Sequence, residues 1–340
     1  MALTPFFRKV FGKKSEEKAK NSDNSSEREG QNGSTESGEA LGAVPQPDCP
    51  IYEYIKSHTQ DGRLSDDFRI PWLQGNWAPG AQDGVFLYHM APLQPDPARE
   101  QKILKALDLM AAEENGNHID EIFSIFEEID KNTAIVRLLD EIIRVIFANK
   151  ANLNPGNLLN FGDWLICKGV SLLSVKVGLS VLAAFRVPFV EEVMTELGVY
   201  DEFTYYAART LSQKHWENGN DELFQLAKNV RGWGRIHAVE YLRPETQEIR
   251  NWLLFEGADN DILAQYSADV CLQKAEAEKR LDSALSEQEF EAIGKLIQAA
   301  LESGPRPGIT NSEQILSKFL EKGAEFSIDP ELRQMILNVE

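Results

Sequence analysis

From Ala98 to the end of the chain, apolar residues recur three and four positions apart, the spacing of one face of an α-helix. Two consecutive stripes show this best: Ile119, Ile122, Phe123, Phe126 and Ile129, then Ile135, Leu138, Leu139, Ile142 and Ile146. Alternating β-branched runs joined by hairpin turns, the pattern of strands, are not found in the sequence. The pattern therefore predicts an all-α protein whose helical body spans residues 98–340.

Helix start signals divide this body. Three prolines stand where a first helical turn tolerates proline: Pro188, Pro244 and Pro330. Two capping-box patterns, Ser286 with Glu289 and Thr310 with Glu313, predict helices that begin after Ser286 and Thr310. The most apolar stretch, residues 169–185, contains Lys176 and is shorter than the roughly 20 apolar residues of a membrane span. We expect it to be a buried helix.

Four of the predicted helices share a register in which a small residue is followed four positions later by leucine. The pairs are Gly178/Leu182, Ala207/Leu211, Ala238/Leu242 and Ala268/Leu272, and the small residues lie 29, 31 and 30 positions apart. A period near 30 with two short helices per unit is typical of a helical-hairpin solenoid. There the small residue lets neighbouring helices approach and the leucine fills their shared core. A non-repetitive helical bundle is the alternative.

This register resembles HEAT-like repeats in their shorter form, over roughly residues 165–275. The segments VKVGLSVLAAF and RIHAVEYL look most like the inner helices of such units. The run EFTYYAARTL, GWGRIHAVEYL and NWLLFEGADND is also similar to uncharacterised bacterial proteins of this helical type. The resemblance implies a HEAT-like α-solenoid and brings no activity with it.

Two regions precede the body. Residues 48–97 are rich in Pro, Gly and aromatic residues, and we expect an irregular cap whose rings, among them Trp72 and Trp77, dock against the first helices. Ile51, Tyr54 and Ile55 predict one short helix there. Residues 15–47 lack aromatic residues and are dominated by Ser, Asn, Gly and Glu, so we expect a disordered linker with a reach of about 30 Å.

Residues 1–14 form a short basic amphipathic segment. Phe6, Phe7 and Phe11 fall on one side of a helix, and Arg8, Lys9, Lys13 and Lys14 surround them with positive charge. Such a segment could contact an anionic membrane or a partner groove, although a frayed terminus is the alternative.

Net charge limits the partners. Residues 1–45 hold seven basic and seven acidic side chains, so the remainder carries the whole formal net charge of −19. Because binding to a phosphate backbone depends on Lys and Arg, this acidic body disfavours nucleic acid as a partner, and with it a HEAT-like nucleic-acid-processing protein. Three cysteines spaced far apart fit reduced thiols and predict a cytoplasmic protein.

Few residues suggest chemistry. The five histidines show no metal-ligand spacing and no phosphate-binding loop or nucleophile motif is present, so we assign no catalytic residue, metal or cofactor. Asp83 and His89 could contribute to a site in the aromatic loop, but we expect a turn at Asp83-Gly84 and a half-buried His89. On a helix, Trp233 and His237 share a face while Arg235 points elsewhere, either into a groove that binds an anionic partner or onto Glu202 or Glu240.

The sequence therefore favours a protein–protein interaction module or scaffold, with Asp83, His89, Trp233, Arg235 and His237 as candidate binding residues. An enzyme whose site lies near the Asp83–His89 loop is the alternative. Fold class alone does not decide between them.

Overall fold

The computed structural model describes residues 49–73, 77–113, 117–302 and 306–339. Within these ranges there are seventeen α-helices, two 3₁₀ turns and no β-strand; Gln60 and Arg63 form one isolated bridge. The all-α prediction is confirmed there. The predicted amphipathic segment, with Phe6, Phe7 and Phe11, and the predicted linker lie outside the described residues.

The first nine helices are α1 (Ile51–His58), α2 (Ala81–Tyr88), α3 (Pro97–Ala112), α4 (Ile119–Thr133), α5 (Leu139–Ala148), α6 (Pro155–Lys168), α7 (Leu172–Leu182), α8 (Pro188–Gly198) and α9 (Asp201–Leu211). The remaining eight are α10 (Gly219–Asn229), α11 (Gly232–Tyr241), α12 (Gln247–Phe255), α13 (Ala268–Lys274), α14 (Ala277–Leu281), α15 (Glu287–Leu301), α16 (Ser312–Lys322) and α17 (Pro330–Leu337). The 3₁₀ turns are Ile135–Leu138 and Ala264–Tyr266.

Local chemistry sets several of these boundaries. Pro188 and Pro330 are the first residues of α8 and α17, where the missing N–H has no intrahelical partner to lose. The Ser286 hydroxyl accepts from the Glu289 N–H, and the Glu289 carboxylate accepts from the Ser286 N–H, so this capping box is confirmed. Both signals were readable because they act within one turn.

Two predicted helix starts are wrong. Pro244 lies in the loop before α12, which begins at Gln247 with the Thr246 hydroxyl as its cap. Thr310 does not cap α16, since its hydroxyl donates to the Asp269 carboxylate at 2.7 Å. Asn311, in the left-handed region with φ 57°, precedes that helix instead.

Neighbours along the chain are also neighbours in space. Consecutive helices pack as pairs: α6 with α7, α8 with α9, α10 with α11 and α12 with α13. The second member of each pair also contacts the second member of the next: α7 with α9, α9 with α11 and α11 with α13. All eight residues of the small-residue/leucine register are buried, seven of them in these four helices and Leu242 directly after α11. A continuous apolar core therefore runs through this part of the protein.

Helix α7 is buried on every side from Ser174 to Leu182, so the buried helix expected in the stretch 169–185 is confirmed. Lys176 lies within it and is itself buried. A fully buried lysine requires a charged partner, and the segment preceding the body supplies one.

That segment departs from the prediction. Helix α1 packs on α6 and α8, and the Trp72 indole N–H donates to the Val170 carbonyl, but Trp77 is 58% exposed. Residues 81–88 form helix α2, so the turn expected at Asp83-Gly84 is wrong. The chain turns instead just before α2, at Gly80, whose φ of 73° favours glycine. The aromatic segment contacts α7, α9 and α11 and not only the first helices.

Candidate functional site

Helix α2 lies across three helices of the body, and we call this contact region the α2 junction. It comprises residues 80–89 together with the side chains they contact on α7, α9, α11 and the 3₁₀ turn at 264–266. Four of the five candidate residues meet here: Asp83, His89, Trp233 and His237. Residues separated by about 150 positions along the chain thus become neighbours.

The charged centre of the junction is Lys176. Its Nζ lies 2.6 Å from Asp83 Oδ2 and 2.8 Å from Glu202 Oε2, and all three side chains are only 9–12% exposed. The other Glu202 oxygen accepts from the Gly80 N–H at 3.0 Å. Burial alone would lower the pKa of Lys176, but the two carboxylates outweigh it and raise that pKa. The ammonium therefore stays charged, and Asp83 is half of an ion pair and not a free base.

Close packing fixes α2 on α11. A Cβ atom added to Gly84 would lie 2.1 Å from Cε3 of the Trp233 ring, well inside van der Waals contact. Trp233 is buried and stacks on Tyr88 with ring centroids 6.3 Å apart. Only glycine permits this approach of the helix backbone to the indole.

His237 lies at the bottom of the junction and is fully buried. A hydrogen bond of 3.0 Å joins its Nδ1 to the Tyr88 hydroxyl, and its Nε2 has no partner among the described residues. Burial, together with the nearby Lys176 charge, lowers the pKa of His237 to about 3. The imidazole is therefore neutral near pH 7 and does not act as a cation there.

His89 follows α2 and is exposed, so the half-buried position expected for it is wrong. Its Nε2 and the Tyr266 hydroxyl are 2.7 Å apart, and the two rings meet edge to face. Arg306 lies over the Tyr88 ring at 5.3 Å and pairs with Glu240 at 2.8 Å. The polar rim of the junction is thus built from residues far apart in the sequence.

Asp201 binds the N-terminus of α11 from the start of α9. Its carboxylate oxygens lie close to Gly232 and Gly234 at the start of that helix. Burial raises the pKa of Asp201 to about 7, because the nearby Gly234 and Trp233 backbone only partly offsets the loss of water. The group borders a cleft of about 380 Å³ that Phe68, Tyr200 and Trp233 also line.

Arg235 lies on the opposite face of α11 and is 6% exposed. Its guanidinium donates to backbone carbonyls at the ends of two neighbouring helices: Lys228, Val230, Glu256 and Asp259. Both alternatives expected for Arg235 are wrong. Its side chain is buried and does not face a groove, and Glu202 and Glu240 pair instead with Lys176 and Arg306. Carbonyls at helix C-termini carry partial negative charge and satisfy the buried cation.

The loop held by Arg235 forms one wall of an open groove. Asn260 is buried, and its side chain accepts from the N–H groups of Ile262 and Leu263 and donates to the Leu263 carbonyl. These bonds fix the backbone at Ile262 and Leu263. Three large apolar side chains are exposed here: Phe255 at the end of α12 is 49%, Ile262 39% and Leu263 46% exposed. With Ala292, Leu296 and Ala299 of α15 they line a cavity of about 560 Å³, which we call the apolar groove.

Charged residues border the apolar groove. Asp259, Asp261 and Glu291 are acidic and Lys295 is basic. Arg231 pairs with Asp261 at 3.0 Å, which neutralises one of the three acids. The rim is therefore mildly acidic around an apolar floor.

Sequence reasoning missed Lys176, Asp201 and the apolar groove. A lysine within a continuous apolar stretch does signal a buried carboxylate partner, but the sequence does not identify that partner. Asp201 and the groove residues carry no comparable signal, because exposed Phe255, Ile262 and Leu263 have the same helical spacing as core residues.

Among the described residues, no group of three or more His, Cys, Asp or Glu side chains is arranged to hold a metal ion. Over the same ranges, no helix is both long enough and apolar enough to cross a bilayer. Comparison of the chain with protein-family models, curated proteins and solved structures gives no match.

Proposed function

We propose that the protein is a cytoplasmic protein-binding module of the HEAT-like helical-repeat kind, and that the apolar groove is its binding surface. The observation that carries this proposal is the exposure of three adjoining large apolar side chains, Phe255, Ile262 and Leu263, on one wall of one cavity. Large apolar side chains grouped in a concavity mark interaction sites on soluble proteins.

The construction of the groove supports this function. Ile262 and Leu263 project from a loop fixed by the Asn260 side chain and by Arg235, and Phe255 projects from the last turn of α12. A wall held in place before binding reduces the entropy that association would otherwise lose. Arg235, which the sequence suggested as a contact to a partner, here acts as a positioning residue behind the wall.

The apolar floor and the charged rim of the groove favour an amphipathic helix as the bound element. Such a helix inserts apolar side chains at positions i, i+3 and i+4 into an apolar groove and leaves its polar face outside. Asp259 and Glu291 on the rim favour Lys and Arg on that polar face. The same acids disfavour a phosphate backbone.

A panel of amphipathic peptides tests the proposal. The peptides share their apolar positions and differ only in a basic, neutral or acidic polar face, and their binding to the full chain is measured by fluorescence anisotropy. Leu263→Asp and Phe255→Asp alter the groove. Phe147→Asp is the matched control, because Phe147 is 50% exposed and lies on α5, away from the groove.

We expect the basic peptide to bind most tightly, and each groove variant to weaken it by about tenfold or more, as for an interface hot spot. The Phe147→Asp variant should bind as the parent does. Equal binding of all three peptides, or equal weakening by Phe147→Asp, would contradict the assignment of the apolar groove.

A further inference from the structure

We infer that the N-terminal segment of this chain, residues 1–14, occupies the apolar groove in the absence of a partner. This inference rests on the proposed function, since it identifies one occupant of the same surface. Such an intramolecular contact would make the groove self-blocked, so that a partner must displace the segment before it binds.

The chemistry of the segment matches the groove. Phe6, Phe7, Val10 and Phe11 fall on one side of a helix, and the groove offers an apolar floor with the exposed Phe255, Ile262 and Leu263. Four basic residues surround those rings: Arg8, Lys9, Lys13 and Lys14. They meet a rim on which acids outnumber the single lysine. The segment and the groove are therefore complementary in both apolar surface and charge.

The segment can reach the groove. The described chain begins at Cys49, next to α1, and the Tyr54 ring of α1 contacts the Phe68 ring at 5.7 Å. Phe68 lines the cleft that borders Asp201, and that cleft shares Asp261 and Ile262 with the apolar groove. Two adjoining clefts thus separate α1 from the groove. The 34 residues from Ser15 to Asp48 span at most about 110 Å when fully extended.

Covalent attachment makes a weak contact sufficient. A short connection between two binding elements gives an effective concentration of the order of 1 mM. A segment with an intrinsic dissociation constant of roughly 0.1 mM would then occupy the groove in about nine of ten molecules. An added peptide would have to compete with it, and its apparent affinity would fall by about tenfold.

Photo-crosslinking in the full chain locates the segment. Phe7 is replaced with benzoylphenylalanine, and the crosslinked residues are identified by mass spectrometry after irradiation. We expect crosslinks to residues 254–264 and 288–299 of the same chain, with a yield independent of protein concentration. Benzoylphenylalanine at Ser34 is the control and should not crosslink there. Crosslinks between two copies, or crosslinks spread over the whole surface, would overturn the inference.

A competition measurement separates this inference from the proposed function. The full-chain variant Phe6→Ser/Phe7→Ser/Phe11→Ser should bind the basic peptide of the panel about tenfold more tightly than the parent, because its groove is open. Equal affinity for parent and triple variant overturns self-blocking, whereas the proposed function stands as long as Leu263→Asp still weakens the peptide. Loss of the Leu263→Asp effect overturns both.

The same variants test the membrane as an alternative destination. Vesicles of phosphatidylcholine and phosphatidylserine are added to the benzoylphenylalanine variant before irradiation. Groove crosslinks that persist support the inference. A segment that binds the vesicles through Phe6, Phe7 and Phe11 and never crosslinks to the groove contradicts it.

Discussion

The α2 junction and the apolar groove reverse the usual distribution of polarity in opposite ways. In the junction, Lys176, Asp83 and Glu202 are buried although they are charged. In the groove, Phe255, Ile262 and Leu263 are exposed although they are apolar. Trp233 and His237 face the junction, while Arg235 supports the groove from behind.

The two regions differ in where their unusual side chains find partners. The buried charges find their partners within the chain, so the junction is already satisfied and contributes a fixed arrangement of helices. The exposed apolar side chains have no such cover among the described residues, and their burial would release free energy only on binding. Substitutions in the junction should therefore change stability, and substitutions in the groove should change affinity.

The largest effect is expected for Lys176→Met. It leaves the carboxylates of Asp83 and Glu202 buried without a cation, which should lower the free energy of unfolding by about 3–5 kcal/mol. Urea unfolding followed by circular dichroism measures the loss. Lys168→Met, at an exposed lysine of α6, is the control and should change it by less than about 0.5 kcal/mol. Equal stability of both variants would remove the special role of the buried charge.

A smaller loss is expected for Gly84→Ala. The added methyl group would overlap the Trp233 ring, at a cost of about 1–3 kcal/mol. Since alanine normally stabilises a helix relative to glycine by roughly 0.5–1 kcal/mol, the sign of the change in unfolding free energy is diagnostic. Trp233→Leu should relieve part of the penalty in the double variant. A stabilised Gly84→Ala protein would mean that α2 is not held against the indole.

Two buried groups beside α11, Asp201 and His237, should make stability depend on pH with opposite signs. Asp201 has a folded pKa of about 7, above its ordinary 3.8, so the folded state binds the extra proton between these values and stability falls as pH rises. His237 has a folded pKa of about 3, below its ordinary 6.5, so the unfolded state binds the extra proton and stability rises with pH over that range.

Single variants should separate these slopes in urea unfolding measured from pH 4 to pH 7. Asp201→Asn removes the falling contribution, so its stability should rise more steeply with pH than that of the parent. His237→Gln removes the rising contribution and should show the opposite deviation. Parallel profiles for the parent and both variants would show that neither group titrates differently in the two states. Leu263→Asp, in the groove, should leave the slope between pH 5 and pH 7 unchanged.

The smallest effect on stability is expected for Leu263→Ser. Because Leu263 is 46% exposed, the free energy of unfolding should change by no more than about 0.5 kcal/mol. Binding of the basic peptide should nevertheless weaken. A destabilisation as large as that of Gly84→Ala would show that the groove wall belongs to the core and not to a binding surface.

Features of the fold that depend on contacts between residues close in sequence were predictable, and those that depend on distant residues were not. The stripe from Ile119 to Ile129 and the capping box at Ser286 were readable because their partners lie within one or two helical turns. The start expected at Thr310 failed because Asp269, 41 positions away, takes the hydroxyl. Helix α2 was missed because Asp83-Gly84 resembles a turn locally, whereas Lys176 and Trp233 stabilise it as a helix.

The same distinction holds for the candidate site. Helical spacing correctly put Trp233 and His237 on one face and Arg235 on another. It did not reveal that Asp83 and His89 lie in the same junction as Trp233 and His237, or that four carbonyls satisfy Arg235. Those contacts depend on how α2 crosses the body, and spacing along one helix carries no information about that.

The crossing of α2 also has a consequence for the timing of synthesis. His89 and Tyr266 are 177 positions apart, and Tyr88 and His237 are 149 apart. At about 5–20 residues per second, a ribosome needs roughly 9–35 s to make the chain between His89 and Tyr266. The helix that is made second is therefore expected to dock among the last. Until then Asp83 and the backbone at Gly84 lack their partners. A chaperone that binds the nascent chain would therefore be most useful during this interval.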